Sequence, residues 1–424
     1  MAEVLQPTRL LAPTRIAEQV WPEGTLPVVS VFCITYNHVN FIRDAIEGFL
    51  MQETTFPVEI FIHDDASTDG TADIVREYTE KYPQLFWTVL QSENQWSKGN
   101  AVAYLFGLMQ KLRGEFLALC EGDDYWTVKE KLQKQVEILE RDNSFSGCCH
   151  EVTSNFHEGK EILHFNTYCG LSENQTISLR EILNANLVAT CSSLIRRKYV
   201  QAIPDVFSDL AMGDWPLSIW AAMHGDLFFD CKPMGFYRRH AGGVWSSMQS
   251  QKQNLETVKM FSRISNIIES EYEDYGVNRL LEYYAPIVLD GFITGNLEFF
   301  RAAREYVYNS KWCKNKIRIH LAKKILKSRL IGNHGTCCKN IHDNFLMCFE
   351  INNSFKASKI LPKNGSEMLA KSIVSQAWVN KIIKPVFALE NITLSILISL
   401  KGTISALIEM FKKSASNILF SSHA

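Results

Sequence analysis

Between Val28 and Glu140 the chain alternates short apolar runs with amphipathic stretches, and this alternation narrows the fold more than any other feature. The apolar runs are Val28 to Ile34, Val58 to Ile62, Leu85 to Leu90 and Glu115 to Cys120. After the first run, Phe41, Ile42, Ala45, Ile46, Phe49 and Leu50 recur at helical spacing. Helices are likewise predicted over 72–82, 99–112 and 128–140. Strands of about six residues alternating with helices of about twelve predict right-handed crossovers and a mainly parallel sheet. The fold class read from the pattern is therefore α/β.

Sheets of this kind bind ligands in the crevice beyond the carboxyl ends of their strands. Three polar clusters fall at those ends. They are Thr35 to Asn37, Asp64-Asp65, and Asp123-Asp124 of the stretch Glu121-Gly122-Asp123-Asp124. The last sets three acids within four residues, and burying them uncompensated would cost on the order of several kcal/mol. A divalent cation removes that penalty, because hard cations prefer carboxylate oxygens. Alone, the stretch reads equally as a metal–diphosphate site or as a solvated acidic turn before the predicted helix at 128–140. Three clusters converging on one sheet edge favour the first reading.

The rest of the chain bounds the class of protein. With 424 residues, 46% of them hydrophobic, there is material for two or three cored domains. A formal charge of -2 argues against bulk affinity for nucleic acid. The eleven cysteines are scattered, without metal-finger spacing, and fit reduced thiols in a cytoplasmic protein. No uninterrupted apolar stretch reaches the roughly 18 residues of a membrane span. Residues 1–27, rich in proline, read as an N-terminal leader.

Beyond Phe145, strands are expected over 145–150, 187–195 and 227–230, with a short helix near 179–183. Asp214-Trp215-Pro216-Leu217 opens an apolar helix that ends at His224-Gly225; Pro216 in its first turn and Gly225 at its end suit those boundaries. From about 250 onward the sequence reads as helical. Residues 301–330 carry ten basic residues against one acid, Glu305. They are expected either to rest on an anionic membrane face or a phosphorylated acceptor, or to be a solvated helix face. The tail from Ile382 to Phe420 is apolar but interrupted by Pro385, Glu390, Lys401 and Glu409, and is expected to pack rather than span.

Val-Ser-Val-x-x-x-Thr-Tyr-Asn at 29–37, Asp-Asp-x-Ser-Thr-Asp-Gly-Thr at 64–71 and Glu-Gly-Asp-Asp-Tyr-Trp at 121–126 resemble the family 2 glycosyltransferases of GT-A fold. Gly213 to Leu217 and Tyr237 to Ser246 resemble bacterial members with the same acidic motif. The resemblance covers 28–248, taken as the glycosyltransferase domain. The helical region 249–424 matches no known pattern and is assigned to acceptor or membrane-surface binding.

The resemblance implies a role for each motif. Thr35, Tyr36 and Asn37 would flank the nucleotide base, and Asp65 would accept its ring N–H. A carboxylate there suits uracil or thymine, and also guanine, so a UDP-sugar is the favoured donor with dTDP next. Asp64 would brace the loop. Asp123 would reach the ribose, and Asp124 the Mn²⁺ or Mg²⁺ that bridges the diphosphate, although Glu121 in place of the usual Asp leaves the direct ligand open among the three acids. His240 would be a further metal ligand or touch the diphosphate. Asp214 would be the catalytic base of an inverting transfer. With no Gln-x-x-Arg-Trp motif, one sugar per encounter is expected, onto a glycan or lipid-linked surface acceptor. The expected location is the cytoplasm, peripheral to the inner membrane face. The alternatives are a protein acceptor or a non-catalytic nucleotide-sugar scaffold.

Overall fold

The computed structural model describes residues 9–312, apart from 100, 157–160, 165–169, 241, 244, 246–247 and 295–297. The strands in chain order are β1 (Thr14–Arg15), β2 (Val29–Thr35), β3 (Glu53–Thr54), β4 (Val58–Asp64), β5 (Phe86–Leu90), β6 (Phe116–Leu119), β7 (Tyr125–Trp126), β8 (Gly147–Phe156), β9 (Glu161–His164), β10 (Gln175–Ile177), β11 (Leu194–Arg196) and β12 (Leu227–Tyr237). The helices that place the site are α1 (Ile42–Leu50), α2 (Thr71–Lys81), α3 (Ala101–Met109), α4 (Lys131–Arg141), α5 (Leu179–Asn184), α6 (Arg197–Gln201) and α7 (Asp214–Ala222).

Among the described residues, ten strands form one sheet in the order β10-β12-β8-β11-β6-β2-β4-β5, with β7 added on β12 and β9 on β8. The half from β6 to β5 is parallel, as the alternation predicts. The other half is mixed: β11 runs antiparallel to both β6 and β8, β8 and β12 are parallel to each other, and β10 and β7 on β12 and β9 on β8 are antiparallel. All seven residues of β4 are buried, as expected of a strand covered on both faces. Ile42, Ile46 and Phe49 of α1, Ile74 and Val75 of α2, and Leu132 and Val136 of α4 join the strand side chains in the main core. At about 1.5–3 kcal/mol for each large apolar side chain fully buried, such contacts dominate the stability of this half.

Register sets the motif ends side by side. Thr35 pairs with Asp64, and Phe32 pairs with Leu119 one residue before Cys120. A close backbone approach also matters: a Cβ on Gly48 of α1 would lie 3.0 Å from the backbone nitrogen of Trp126, so glycine lets β7 rest on the helix.

Two sequence expectations meet a different structure. The strand expected over 187–195 is instead a 3-10 turn, Thr190–Ser192, before the three-residue β11. Ser192 Oγ donates to Ala189 O at 2.7 Å and Ser193 Oγ to Thr190 O at 2.9 Å, and such local bonds compete with a ladder. The expected leader is partly bound to the core. β1 pairs with β3, Ile16 is fully buried, and Gln19 Nε2 donates to Thr54 O at 2.7 Å.

Two compact units divide between Leu280 and Leu281. Helix Ser250–Ile264 belongs to the first and buries Val258, Met260, Phe261 and Ile264, with Phe261 edge-on to Trp215 at 5.4 Å. Helix Glu273–Thr294 crosses the division, and helix Glu298–Asn309 follows it. Of the basic stretch 301–330, only 301–312 falls within the described residues, and the apolar tail lies outside them. No helix among the described residues is long and apolar enough to cross a membrane.

Candidate active site

The acidic stretch leaves β6 into a tight approach to β2. Gly122 N donates to Ile34 O at 2.8 Å, and a Cβ on Gly122 would stand 2.6 Å from Thr35 Oγ1. Only glycine fits there without displacing β2. Thr35 itself is 3% exposed, and its hydroxyl oxygen is buried without a hydrogen-bond partner. Its side chain therefore lies beneath the acidic turn.

Glu121, Asp123 and Asp124 each bring one oxygen within 4.8 Å of the others. Asp124 is 1% exposed; its Oδ1 accepts the Arg238 backbone N–H at 2.8 Å, while Oδ2 is buried without a hydrogen-bond partner. Burial, then the Asp123 charge, pushes the Asp124 carboxyl well above the usual range, against the Arg238 N–H and the Cys191 thiol. Burial likewise raises Glu121, followed by the charges of Asp123, Asp124 and Asp214. For Asp123, burial acts upward, but the hydrogen bond from His240 and the nearby His38 outweigh it and hold the carboxyl low. An orphaned buried oxygen among three crowded acids is the donor set a hard divalent cation fits.

Arg238 braces this turn from the end of β12. Its Nη1 donates to Asp123 O at 2.7 Å and its Nη2 to Asp44 Oδ2 at 2.5 Å. The guanidinium also lies 4.5 Å from the Tyr125 ring centre and 5.1 Å from that of Phe41. His240 Nε2 lies 3.0 Å from Asp123 Oδ2, and His38 Nε2 lies 3.8 Å from the same atom. His240 therefore groups with Asp123 and His38.

At the neighbouring strand end, Asp64 braces its loop as expected, accepting Ser67 N at 3.0 Å and Ser67 Oγ at 2.5 Å. Asn37 sits in the left-handed region at φ 55° and holds the same loop, with Oδ1 accepting Thr68 N at 2.9 Å. Ala66 shares that strained conformation at φ 64°. Both oxygens of Asp65 already accept backbone N–H groups, from Gln95 at 2.7 Å and Trp96 at 3.0 Å. Each carboxylate oxygen has a second lone pair, so Asp65 can hold that loop and still accept a ligand N–H. Tyr36 and Trp96 are both exposed beside it.

Asp214 opens α7, where the helix dipole favours a negative charge. Its Oδ2 accepts Asn186 Nδ2 at 2.8 Å. Its charge reaches Glu121 and the Tyr237 phenol, and burial, then Glu121 and Asp124, raises that phenol. Two anchors fix this side. Trp215 Nε1 donates to Ile182 O of α5 at 2.7 Å, and Trp126 Nε1 to Cys191 O at 2.8 Å. Trp126 and Trp215 are thus core residues, whereas Trp245 is exposed.

All the expected site residues except Thr35 keep a partly exposed side chain or a carboxylate in this cluster. Sequence reasoning had no role for Asn186, Arg238, Tyr237 or His38. Arg238 and His38 stood beside recognised motifs, but nothing local marks Asn186 as the partner of an acid 28 positions later.

The Glycosyl transferase family 2 model matches residues 30–203, which span β2 to β11 and all three motifs. The chain carries a family 2 glycosyltransferase domain. Relatives of this domain include Uncharacterized protein Rv1520 of Mycobacterium tuberculosis, 37% identical over 227 residues, or 54% of this chain and 63% of that one. The putative teichuronic acid biosynthesis glycosyltransferase TuaG of Bacillus subtilis is 39% identical over 28% of this chain and 45% of its own length. The Escherichia coli protein named UDP-Glc:alpha-D-GlcNAc-diphosphoundecaprenol beta-1,3-glucosyltransferase WfaP is 31% identical over 28% of this chain and 44% of its own. The chain spans about two thirds or less of the length of these curated relatives. Among solved structures, S. aureus TarS 1-349 superposes with a TM-score of 0.53 at 17% identity, covering 78% of this chain and 92% of that one. The domain has the GT-A type of fold that the motifs imply.

Proposed function

We propose that the chain is an inverting, metal-dependent glycosyltransferase that moves one sugar from a UDP-sugar to a hydroxyl of a surface-glycan acceptor. One observation carries the reading: the partnerless buried Oδ2 of Asp124 within the Glu121–Asp123–Asp124 cluster, at the same strand edge as Asp65 and within electrostatic reach of Asp214. A sugar donor with two phosphates brings negative charge, which this cluster tolerates only with a cation between them.

Asp124 would hold Mn²⁺ or Mg²⁺, with Asp123 and Glu121 beside it. A bound ion would offset charge developing on the leaving diphosphate. Asp65, Tyr36 and Asn37 receive the base and Asp123 the ribose in this reading, with dTDP as the next donor. Asp214, oriented by Asn186, takes the proton of the acceptor hydroxyl. A single base on the face opposite the leaving group gives inversion. The names of TuaG and WfaP support a cell-surface glycan, and that of WfaP a UDP-sugar donor and a diphosphate-linked lipid acceptor. The TarS structure is a complex with UDP-GlcNAc, which supports the same nucleotide.

Calorimetric titration with UDP, dTDP, GDP and CMP, each with Mn²⁺ and with chelator, tests the donor site. UDP or dTDP binding that chelator removes is the expected result. Asp124→Asn should abolish it. Asp214→Asn should leave binding intact and lower turnover by about 10²-fold or more, the scale of general-base catalysis. No nucleotide binding at all would instead favour a scaffold.

A further inference from the structure

We propose that the buried Lys131–Gln135 pair of α4 is a positioning device for the transfer reaction, holding the segment from Asn186 to Ser193 that links the acidic turn to Asp214. The inference rests on the transferase reading above, in which Asp124 holds the donor's cation and Asp214 takes the acceptor's proton. Asn186, at one end of the segment, donates from Nδ2 to Asp214 Oδ2 at 2.8 Å. At the other end three successive carbonyls are engaged by three different elements. Cys191 O accepts Trp126 Nε1 of β7 at 2.8 Å, Ser192 O accepts Gln135 Nε2 at 2.9 Å, and Ser193 O accepts Leu119 N of β6 at 3.2 Å. Trp126 follows Asp124 by two residues, so this short segment is tied to both acids.

Lys131 decides which end of the Gln135 amide faces the segment. The two residues stand one helical turn apart and are both buried. Lys131 Nζ donates to Gln135 Oε1 at 2.7 Å. An ammonium has three donors and no acceptor, so the amide cannot turn over without setting donor against donor. Its Nε2 is thereby aimed at Ser192 O, a carbonyl whose partner would be costly to remove in the interior. Trp126 belongs to the same arrangement: its ring centre lies 4.0 Å from Lys131 Nζ while its Nε1 holds Cys191 O.

A buried ammonium carries a desolvation penalty, and an apolar side chain of similar volume would pack there without it. Stability alone therefore does not account for lysine at 131. Geometry does. Reacting groups must meet at about 3–3.5 Å, and a misplacement of about 1 Å that originates far from the chemistry can cost about 10²-fold in rate. The acidic turn has braces of its own, from Arg238 N to Asp124 Oδ1 and from Gly122 N to Ile34 O. Loosening the segment thus shifts Asp214 relative to the donor and leaves the donor site in place.

Hydrogen exchange read by mass spectrometry on the full chain tests the anchor without reference to catalysis. Gln135→Leu should speed exchange at 186–193 at least about tenfold and leave 121–126 within about twofold of wild type. UDP release from UDP-glucose and UDP-N-acetylglucosamine tests the role. In Gln135→Leu, kcat should fall at least about tenfold while KM for the sugar nucleotide stays within about threefold. Lys131→Met should show a similar fall in kcat although it unfolds at a higher urea concentration than wild type at pH 7.5, a combination that a merely structural lysine would not give. Circular dichroism establishes folding. Where Gln135→Leu is not folded, Gln135→Glu is read in its place, since it keeps the bond to Lys131 but turns an acceptor toward Ser192 O. Unchanged exchange at 186–193 overturns the proposal, and so does faster exchange with unchanged kcat, because the pair would then be structural only. Wild type that binds no nucleotide fails the transferase reading and the positioning role with it, whereas wild type that binds UDP beside variants with an unaltered 186–193 fails this proposal alone.

Discussion

At the scale of single residues, Gly122 and Lys131 are the sharpest tests of how the site is built. Gly122→Ala would force a Cβ to 2.6 Å from Thr35 Oγ1 and 2.8 Å from Thr35 Cβ, on a strand that cannot yield freely. Overpacking of this kind costs about 1–3 kcal/mol. Urea denaturation should show that loss, and calorimetry should show weaker chelator-sensitive UDP binding; an unchanged midpoint would mean β2 gives way. Lys131 is fully buried, with Nζ donating to Gln135 Oε1 at 2.7 Å and lying 4.0 Å from the Trp126 ring centre. Burial brings its pKa down from 10.5 to about 8. Below pH 8 the amine is charged in both states; between about 8 and 10.5 only the unfolded chain stays protonated, so this residue adds stability as pH rises, about 3 kcal/mol in all. The buried thiols of Cys33, Cys120, Cys148, Cys149 and Cys191, raised by burial, act in the opposite sense above pH 9. The test is therefore a difference. Lys131→Met should be more stable than wild type at pH 7.5, and the gap should close by pH 10.5. Residues of this kind are illegible in sequence, since Lys131 looks like any lysine of an amphipathic helix.

At the scale of elements, the parallel half was readable because its apolar runs and helical spacings follow a single period each. β2, β4, β5 and β6 lie where Val28 to Cys120 indicate, and the motif ends meet because parallel register leaves them no other edge. β11 was not readable: it is three residues long, and its neighbours' hydroxyls bond locally. The elements around Asp214 are similarly hidden. α5 begins with a reciprocal cap between Ser178 and Glu181, and its Ile182 carbonyl receives Trp215 Nε1. Ser178→Ala should cost about 1 kcal/mol of stability by denaturation. It should leave UDP affinity unchanged, since α5 supports the helix that opens with Asp214 rather than the acidic turn. A fall in nucleotide affinity would instead link α5 to the donor site.

For the whole molecule, the first compact unit runs on to Leu280, through the helix Ser250–Ile264. Arg263 Nη2 reaches Asp209 Oδ2 at 2.7 Å, and Phe261 covers Trp215 beside Asp214. Four apolar side chains of that helix, at about 1.5–3 kcal/mol each, rival the roughly 5–15 kcal/mol total of a typical domain. A chain ended at 248 should therefore lose cooperative unfolding in calorimetric scans, while one ended at 280 should keep it. The family motifs end before this helix, which explains why sequence resemblance alone gives it no part in the transferase domain.

The antiparallel β11 also governs the order in which the chain can be finished. Leu194 pairs with Ala118, 76 positions earlier (194 minus 118). During synthesis, β2, β4, β5 and β6 can assemble while the outer edge of β6 still waits for its partner. At about 5–20 residues per second, that edge stays open for roughly 4–15 seconds. An unpaired strand edge invites other chains. Newborn molecules are thus most exposed to aggregation between Leu119 and Arg196, before the helix that opens with Asp214 leaves the ribosome.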